Sequence, residues 1–154
     1  MDRRIEKLIK FRQFLLAQID GLTARQLNAI PPGYNNNIIW NLGHMICAQQ
    51  GVCYIRAGLP VIVEDKYMRP FQTNTKPEGL IGEPEIKSIK TLLERTIDVF
   101  QADFDKKIFN NYTTSPNILK VYGITLNNID DALEFLIYHD GVHSGTILAL
   151  KHLV

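Results

Sequence analysis

The sequence predicts an all-α protein, a four-helix bundle with long connections. Three observations carry that reading. Four stretches of roughly twenty residues repeat apolar side chains at helical spacing. No stretch sustains the two-residue alternation of a half-buried strand. Stop signals at Gly21, Pro31-Pro32-Gly33 and Gly58-Leu59-Pro60 fall between the stretches. At 154 residues the chain fits one domain over residues 1–154, and a chain of that size buries about 70% of its unfolded surface, enough to build a core unaided.

The first helix is expected from about Asp2 to Asp20, with Ile5, Leu8, Ile9, Leu15, Leu16 and Ile19 on one face and Phe11 and Phe14 widening it. Arg12 lies inside that face and reads as a snorkelling side chain. Gly21 stops the helix, Thr23 caps a short turn over Ala24 to Leu27, and Pro31-Pro32-Gly33 breaks it. The second helix is expected from near Asn36 to Ala57, closed by Gly58-Leu59-Pro60. Val61 to Gly82 reads as a loop holding at most one short turn, a length that often signals function. The third helix opens at Glu83-Pro84-Glu85, with proline in the first turn and acids near the positive end of the dipole. Ile86, Ile89, Leu92, Leu93, Ile97, Phe100 and Phe104 form its apolar face, and it ends near Lys106. "NNYTTSPNILKVYGIT" reads as an irregular linker with a brief extended pair. The fourth helix is expected from about Asn128 to Leu153, acids early and Lys151 late, as the dipole favours.

Composition narrows the function classes. Lys plus Arg number 17 against 16 acids, so the basic excess that nucleic-acid binding demands is missing. No apolar run reaches the ~18 residues of a membrane span, and "MDRRIEKLIKF" has no signal-peptide core. The expectation is a soluble cytoplasmic protein that engages neither nucleic acid nor membrane. Cys47 and Cys53 sit six apart on one helix, which fits neither a disulfide nor a CxxC motif.

The histidines carry the functional signal. With His139 as zero on a 100° helical wheel, His143 falls at about +40°, Leu136 at about +60° and Phe135 at about −40°. Both imidazoles therefore sit inside the apolar stripe, while His152 points away at about −140°. On the second helix His44 is mid-helix and core-facing, beside Gly43, Ala48 and Gly51. Mid-helix glycines cost about 0.5–1 kcal/mol each relative to alanine, so they imply a fitted cavity or a close contact. Two imidazoles one turn apart in a dry core cannot both be charged, and each leaves a lone pair to satisfy. A divalent metal bound by His44, His139 and His143 satisfies all three; a polar core without metal is the alternative. "HDGVH" is not a metalloprotease HExxH, because Asp140 stands where the glutamate base belongs.

Two segments resemble a known family. "PPGYNNNIIWNLGHM", residues 31–45, is similar to the stretch of DinB-like proteins in which a tryptophan precedes a metal-binding histidine by four. "TLNNIDDALEFLIYHDGVHSGTILAL", residues 125–150, resembles their last helix, which supplies two histidines four apart. The resemblance covers nearly the whole chain. It implies the DinB-like bundle, a divalent metal on His44, His139 and His143, and thiol-dependent relatives such as mycothiol-dependent isomerases and bacillithiol transferases.

Three neutral nitrogens leave a position open for water or substrate, and imidazole ligands suit zinc or nickel. The expected function is a divalent-metal-dependent enzyme, a hydrolase or a thiol-dependent transferase, acting on a small molecule, with a low-molecular-weight thiol as the expected partner. The alternative is a non-catalytic metal-binding or dimerising bundle. Ile137 and Leu148, unused by a single stripe, point to a homodimer. No general base stands out: Asp140 points about 100° away from His139. Cys47 is a candidate neighbour of the metal, and Asn37, Gln50, Tyr54 and Tyr138 are candidate pocket residues.

Overall fold

The computed structural model describes residues 1–154. Helix α1 (Arg3–Gln18) starts where Asp2 takes an extended backbone and its carboxylate accepts the Arg4 N–H at 2.8 Å. The cap satisfies one of the donors that a first turn leaves free. Ile5, Leu8, Arg12 and Leu15 form its buried line. Arg12 is completely buried, so it does not snorkel. Phe11 and Phe14 do not widen the core face; they stack on each other at 6.1 Å on the surface. Helix α2 (Ala24–Asn28) carries a capping box in which Thr23 and Gln26 satisfy each other's backbone N–H.

Helix α3 (Ile38–Gln49) is the central element. Every residue in it except Ala48 is buried, the mark of a helix surrounded by others. Asn37 caps it, Oδ1 accepting the Trp40 N–H at 2.8 Å. The chain then widens into a π-helical turn, Gln50–Tyr54, and tightens into a 3-10 turn, Ile55–Ala57, before Gly58 ends it at φ 71°. The sequence predicts the end point but not the change of winding, a feature found frequently at functional sites.

The connection that follows holds two 3-10 turns, Asp65–Tyr67 and Arg69–Phe71, rather than one. Tyr67, Met68 and Phe71 are buried against α3 and its neighbours. Gly43 explains how this segment lies so close: a Cβ there would overlap the Phe71 ring. Helix α4 (Glu83–Asp105) buries Ile86, Ile89, Leu93, Ile97 and Phe100 along one face. The stretch predicted as an irregular linker contains a helix, α5 (Pro116–Tyr122), with Ser115 as cap, Pro116 at its first position and Gly123 at φ 67° closing it. Its signals are the ordinary ones, but seven residues are too few to display an apolar period. Helix α6 (Ile129–Lys151) starts at Asn128, whose side chain accepts the Asp131 N–H at 2.9 Å.

Helices α1 and α3 each pack against α4 and α6, so the first two long helices lie diagonally across the bundle. The apolar core forms two clusters. One gathers Leu15, Leu42, Met45, Leu93, Ile147 and Leu150; the other gathers Leu8, Val52, Ile97, Phe100 and Leu136. Between them runs a buried polar layer to which each long helix contributes. The Arg12 guanidinium donates to Asp140 Oδ2 at 2.9 Å, to Gln49 Oε1 at 2.8 Å and to the Leu93 carbonyl at 2.9 Å. Thr96 Oγ1 donates to Gln49 Oε1 at 3.0 Å, and Gln49 Nε2 donates to the Thr96 carbonyl at 2.9 Å.

This layer sets an expectation for stability. Arg12→Met removes the guanidinium partner of a fully buried carboxylate and should cost about 3–5 kcal/mol. Adding Asp140→Leu should restore part of the loss, because an apolar pair needs no solvation. Urea denaturation measures both variants; a single variant as stable as the parent chain would show that water reaches the layer.

Candidate metal centre

The turn of α3 that carries His44 and the two turns of α6 that carry His139 and His143 face each other. The donor atoms of the three rings all lie within 4.8 Å of one another. Ring centroids are 4.5 Å apart for His139–His143, 4.7 Å for His44–His143 and 5.2 Å for His44–His139. No hydrogen bond links the rings to one another. The three histidines that the wheel angles turn inward thus lie together, and His152 sits exposed at the end of α6 as its angle predicts.

In two of the three rings a hydrogen bond behind the ring fixes which nitrogen is free. His44 Nδ1 donates to the Phe71 carbonyl at 2.6 Å, and the Trp40 indole stacks on the ring at 4.9 Å and 9°. His143 Nδ1 lies 2.8 Å from Asn41 Oδ1. Asn41 Nδ2 is already committed, donating to Asn36 Oδ1 and to the Asn37 carbonyl, so the amide oxygen must accept and His143 Nδ1 must donate. In both rings Nε2 is left as the bare lone pair. Outer hydrogen bonds of this kind orient metal-ligating imidazoles. His139 differs: its Nδ1 is buried without a partner, 3.9 Å from Asp140 Oδ1, which also has none. Burial alone would raise the Asp140 carboxyl, but Arg12 and the neighbouring His139 override it and hold it below its ordinary range. The 100° that separates Asp140 from His139 on the wheel turns out to aim it at Arg12 on α1.

All three rings line one cavity of about 580 Å³, with Cys47, Gly51, Met68, Phe135 and Tyr122 among its walls. That volume suits a small molecule. Gly51, in the π-helical turn, has open space where a Cβ would stand. The two glycines thus serve different ends, Gly43 a close contact and Gly51 an open wall. A second cavity of about 360 Å³ lies beyond Trp40, lined by Lys66, Tyr67, Leu80 and Glu85, and does not reach the histidines.

The donor set fits a divalent ion. Two buried imidazoles and a half-buried third, with converging donor atoms and no acid among them, leave lone pairs that only a cation or donor can satisfy. Cys47 does not look like a ready fourth ligand: burial pushes its thiol up to about 11, and Sγ donates to the Met68 carbonyl at 3.5 Å. The other candidate pocket residues face elsewhere. Asn37 Nδ2 donates to the Asn28 carbonyl, Gln50 Oε1 accepts the Ile62 N–H, the Tyr54 hydroxyl donates to Asp103, and Tyr138 stands on the surface. Asn41, the Phe71 carbonyl and the Arg12–Asp140 pair were missed. Asn41 alone left a sequence signal, one turn before His44 on the same helix.

The family model of the DinB superfamily matches residues 7–147, a span that holds all three histidines and both members of the buried ion pair. No curated protein matches the chain.

The site makes the metal-free protein sensitive to acid. Burial, with the adjacent His139 and His44, pushes His143 down to about 3, and burial lowers His44 against the pull of the Phe71 carbonyl. An unfolded imidazole titrates near 6.5. Between those values the unfolded chain binds protons that the fold refuses, so stability falls as pH drops below about 6.5. Urea denaturation in the presence of chelator should give a lower unfolding free energy at pH 5 than at pH 7.5. Equal or greater stability at pH 5 would contradict a lowered pKa at His44 and His143.

Proposed function

Because this chain belongs to the DinB superfamily, we propose that it is a divalent-metal-dependent enzyme whose ligands are His44, His139 and His143, acting on a small molecule. The observation that carries the reading is the convergence of three imidazoles on the wall of a roomy cavity rather than inside a sealed shell. Three protein ligands and an open side are the catalytic arrangement; a structural site closes with four. Zinc or nickel suits an all-imidazole set. A divalent ion there supplies Lewis acidity, lowering the pKa of a water or thiol that it holds.

The chain's own residues orient and shelter that chemistry. Phe71 and Asn41 hold two of the rings in one tautomer, Trp40 covers His44, and Arg12 keeps the Asp140 charge behind His139 neutralised. The cavity wall carries no carboxylate, and its one thiol is held protonated. A nucleophile that arrives with its own ionisable hydrogen, such as a low-molecular-weight thiol, needs no general base from the protein. Thiol-dependent transfer is therefore the first reaction class in this proposal and hydrolysis the second. A homodimer belongs to the same proposal, with the stacked Phe11 and Phe14 beside Ile137 as the apolar surface to be covered.

The metal reading is tested by binding and melting. Zinc or nickel added to protein purified without a histidine tag should alter the fluorescence of the one tryptophan, Trp40, because its indole stacks on His44. His143→Ala should abolish that response while keeping the helices, and His152→Ala should leave it intact. Chelator should lower the melting midpoint of the metal-loaded parent chain by mass action and leave that of His143→Ala unchanged. Metal bound as tightly by His143→Ala as by the parent chain would remove the three-histidine site. Light scattering at the 17.6 kDa monomer mass, at micromolar concentration, would remove the dimer.

A further inference from the structure

The charge on the cavity wall is one-sided. Among the side chains lining the histidine cavity, Arg56 is the single charged group outside the three histidines, and no Asp, Glu or Lys joins it. The cavity beyond Trp40 is unlike it, with Lys66, Lys76, Glu78 and Glu85 around its rim. Arg56 makes no ion pair. Its one side-chain bond is weak, Nη1 donating to the Thr114 carbonyl at 3.3 Å. Its backbone, in contrast, is firmly held: the Arg56 carbonyl accepts the N–H and the hydroxyl of Thr113 at 2.7 and 3.0 Å. A fixed stem thus presents a half-buried guanidinium with most of its donors free to a cavity that contains nothing to neutralise it. Around it the wall offers only neutral hydrogen-bonding groups: Gln72, Thr73, Asn74, Ser115 and Asn117. Asp140, next to His139 in the chain, is fully buried and already paired with Arg12, so its charge does not compensate Arg56.

We propose that Arg56 is the anion-recognition residue of this cavity, and that the substrate carries an oxyanion group, carboxylate or phosphate, which the guanidinium holds while the reacting end lies at the histidines. The proposal rests on the metal reading above. A guanidinium presents paired donors that match the two oxygens of such a group, and the bond is charge-assisted. A cavity holding a cation, a site for a second cation and no acid favours an anion over a neutral or basic molecule. His44 and Arg56 stand twelve positions apart on one continuous helical run, about 18 Å of axis if wound as an α-helix and less through the wider π turn. Both residues line the same cavity. The distance suits a ligand of several carbon atoms bridging the two.

The test uses zinc-loaded full-length protein and calorimetry, without turnover. The probes are alkyl hydroxamates of increasing chain length ending in a carboxylate, a phosphonate or the neutral methyl ester of the carboxylate. At the best-fitting length a charged probe should bind about tenfold or more tighter than the ester. Arg56→Met should abolish that preference and leave ester binding within about twofold; Arg56→Lys, which keeps charge without the fork, should retain part of it. A preference for only one of the two charged probes would support the proposal and identify the oxyanion. Ester and charged probes binding equally at every length would overturn the anion subsite while leaving the metal site standing, as would an undiminished preference in a folded Arg56→Met. Failure of even the ester to bind the zinc-loaded protein would overturn the open metal position and this proposal with it.

Discussion

A charged pair without access to water, Arg12 and Asp140, determines how the four long helices meet. Neither charge can be abandoned in a dry interior, since an unpaired buried ion costs several kcal/mol. The guanidinium reaches α6 through Asp140, α3 through Gln49 and α4 through the Leu93 carbonyl. Apolar contacts alone tolerate sliding, because one leucine fits nearly as well as the next. A slip of one helical turn, about 5.4 Å, would break every one of these bonds. The layer therefore sets a level for each helix, and the two apolar clusters grow on either side of it.

The histidine cluster inherits that level. His139 adjoins Asp140 in the chain, and His44 lies little more than one turn before Gln49. Once the polar layer fixes α3 against α6, the three rings have to meet. What orients them comes from further away. Gly43 removes a side chain so that Phe71 can lie on α3 and offer its carbonyl to His44. Asn41 turns its amide oxygen to His143 because its amide nitrogen is held by the cap region of α3. The π-helical turn at Gln50–Tyr54 then changes the helix winding where the cavity wall begins, with Gly51 leaving it open and Arg56 just beyond. Rigid backing behind the rings and open space in front of them are what a reactive metal centre requires, and here they come from different parts of one helix and its following loop.

The sequence by itself determined the long helices and the three histidines, because both are properties of a period. Apolar spacing repeated over twenty residues fixes a helix and its buried face, and a 100° turn per residue then places His44, His139 and His143 inward and His152 outward. The cap at Thr23 and the stop at Gly58 are equally local, since each satisfies donors or acceptors within its own turn. Only the tertiary structure decided the rest. Arg12 carried no mark to distinguish a buried ion from a snorkelling one, for its partner lies 128 positions away in the chain. Phe11 and Phe14 looked like core because period says which way a residue points and not what stands opposite. Helix α5 was too short to show a period. Phe71 offers a backbone carbonyl, which no residue letter encodes, and the solitary charge of Arg56 becomes visible only when the cavity's wall is assembled from distant segments. Local periodicity fixes direction around an axis; long-range packing fixes what each direction meets.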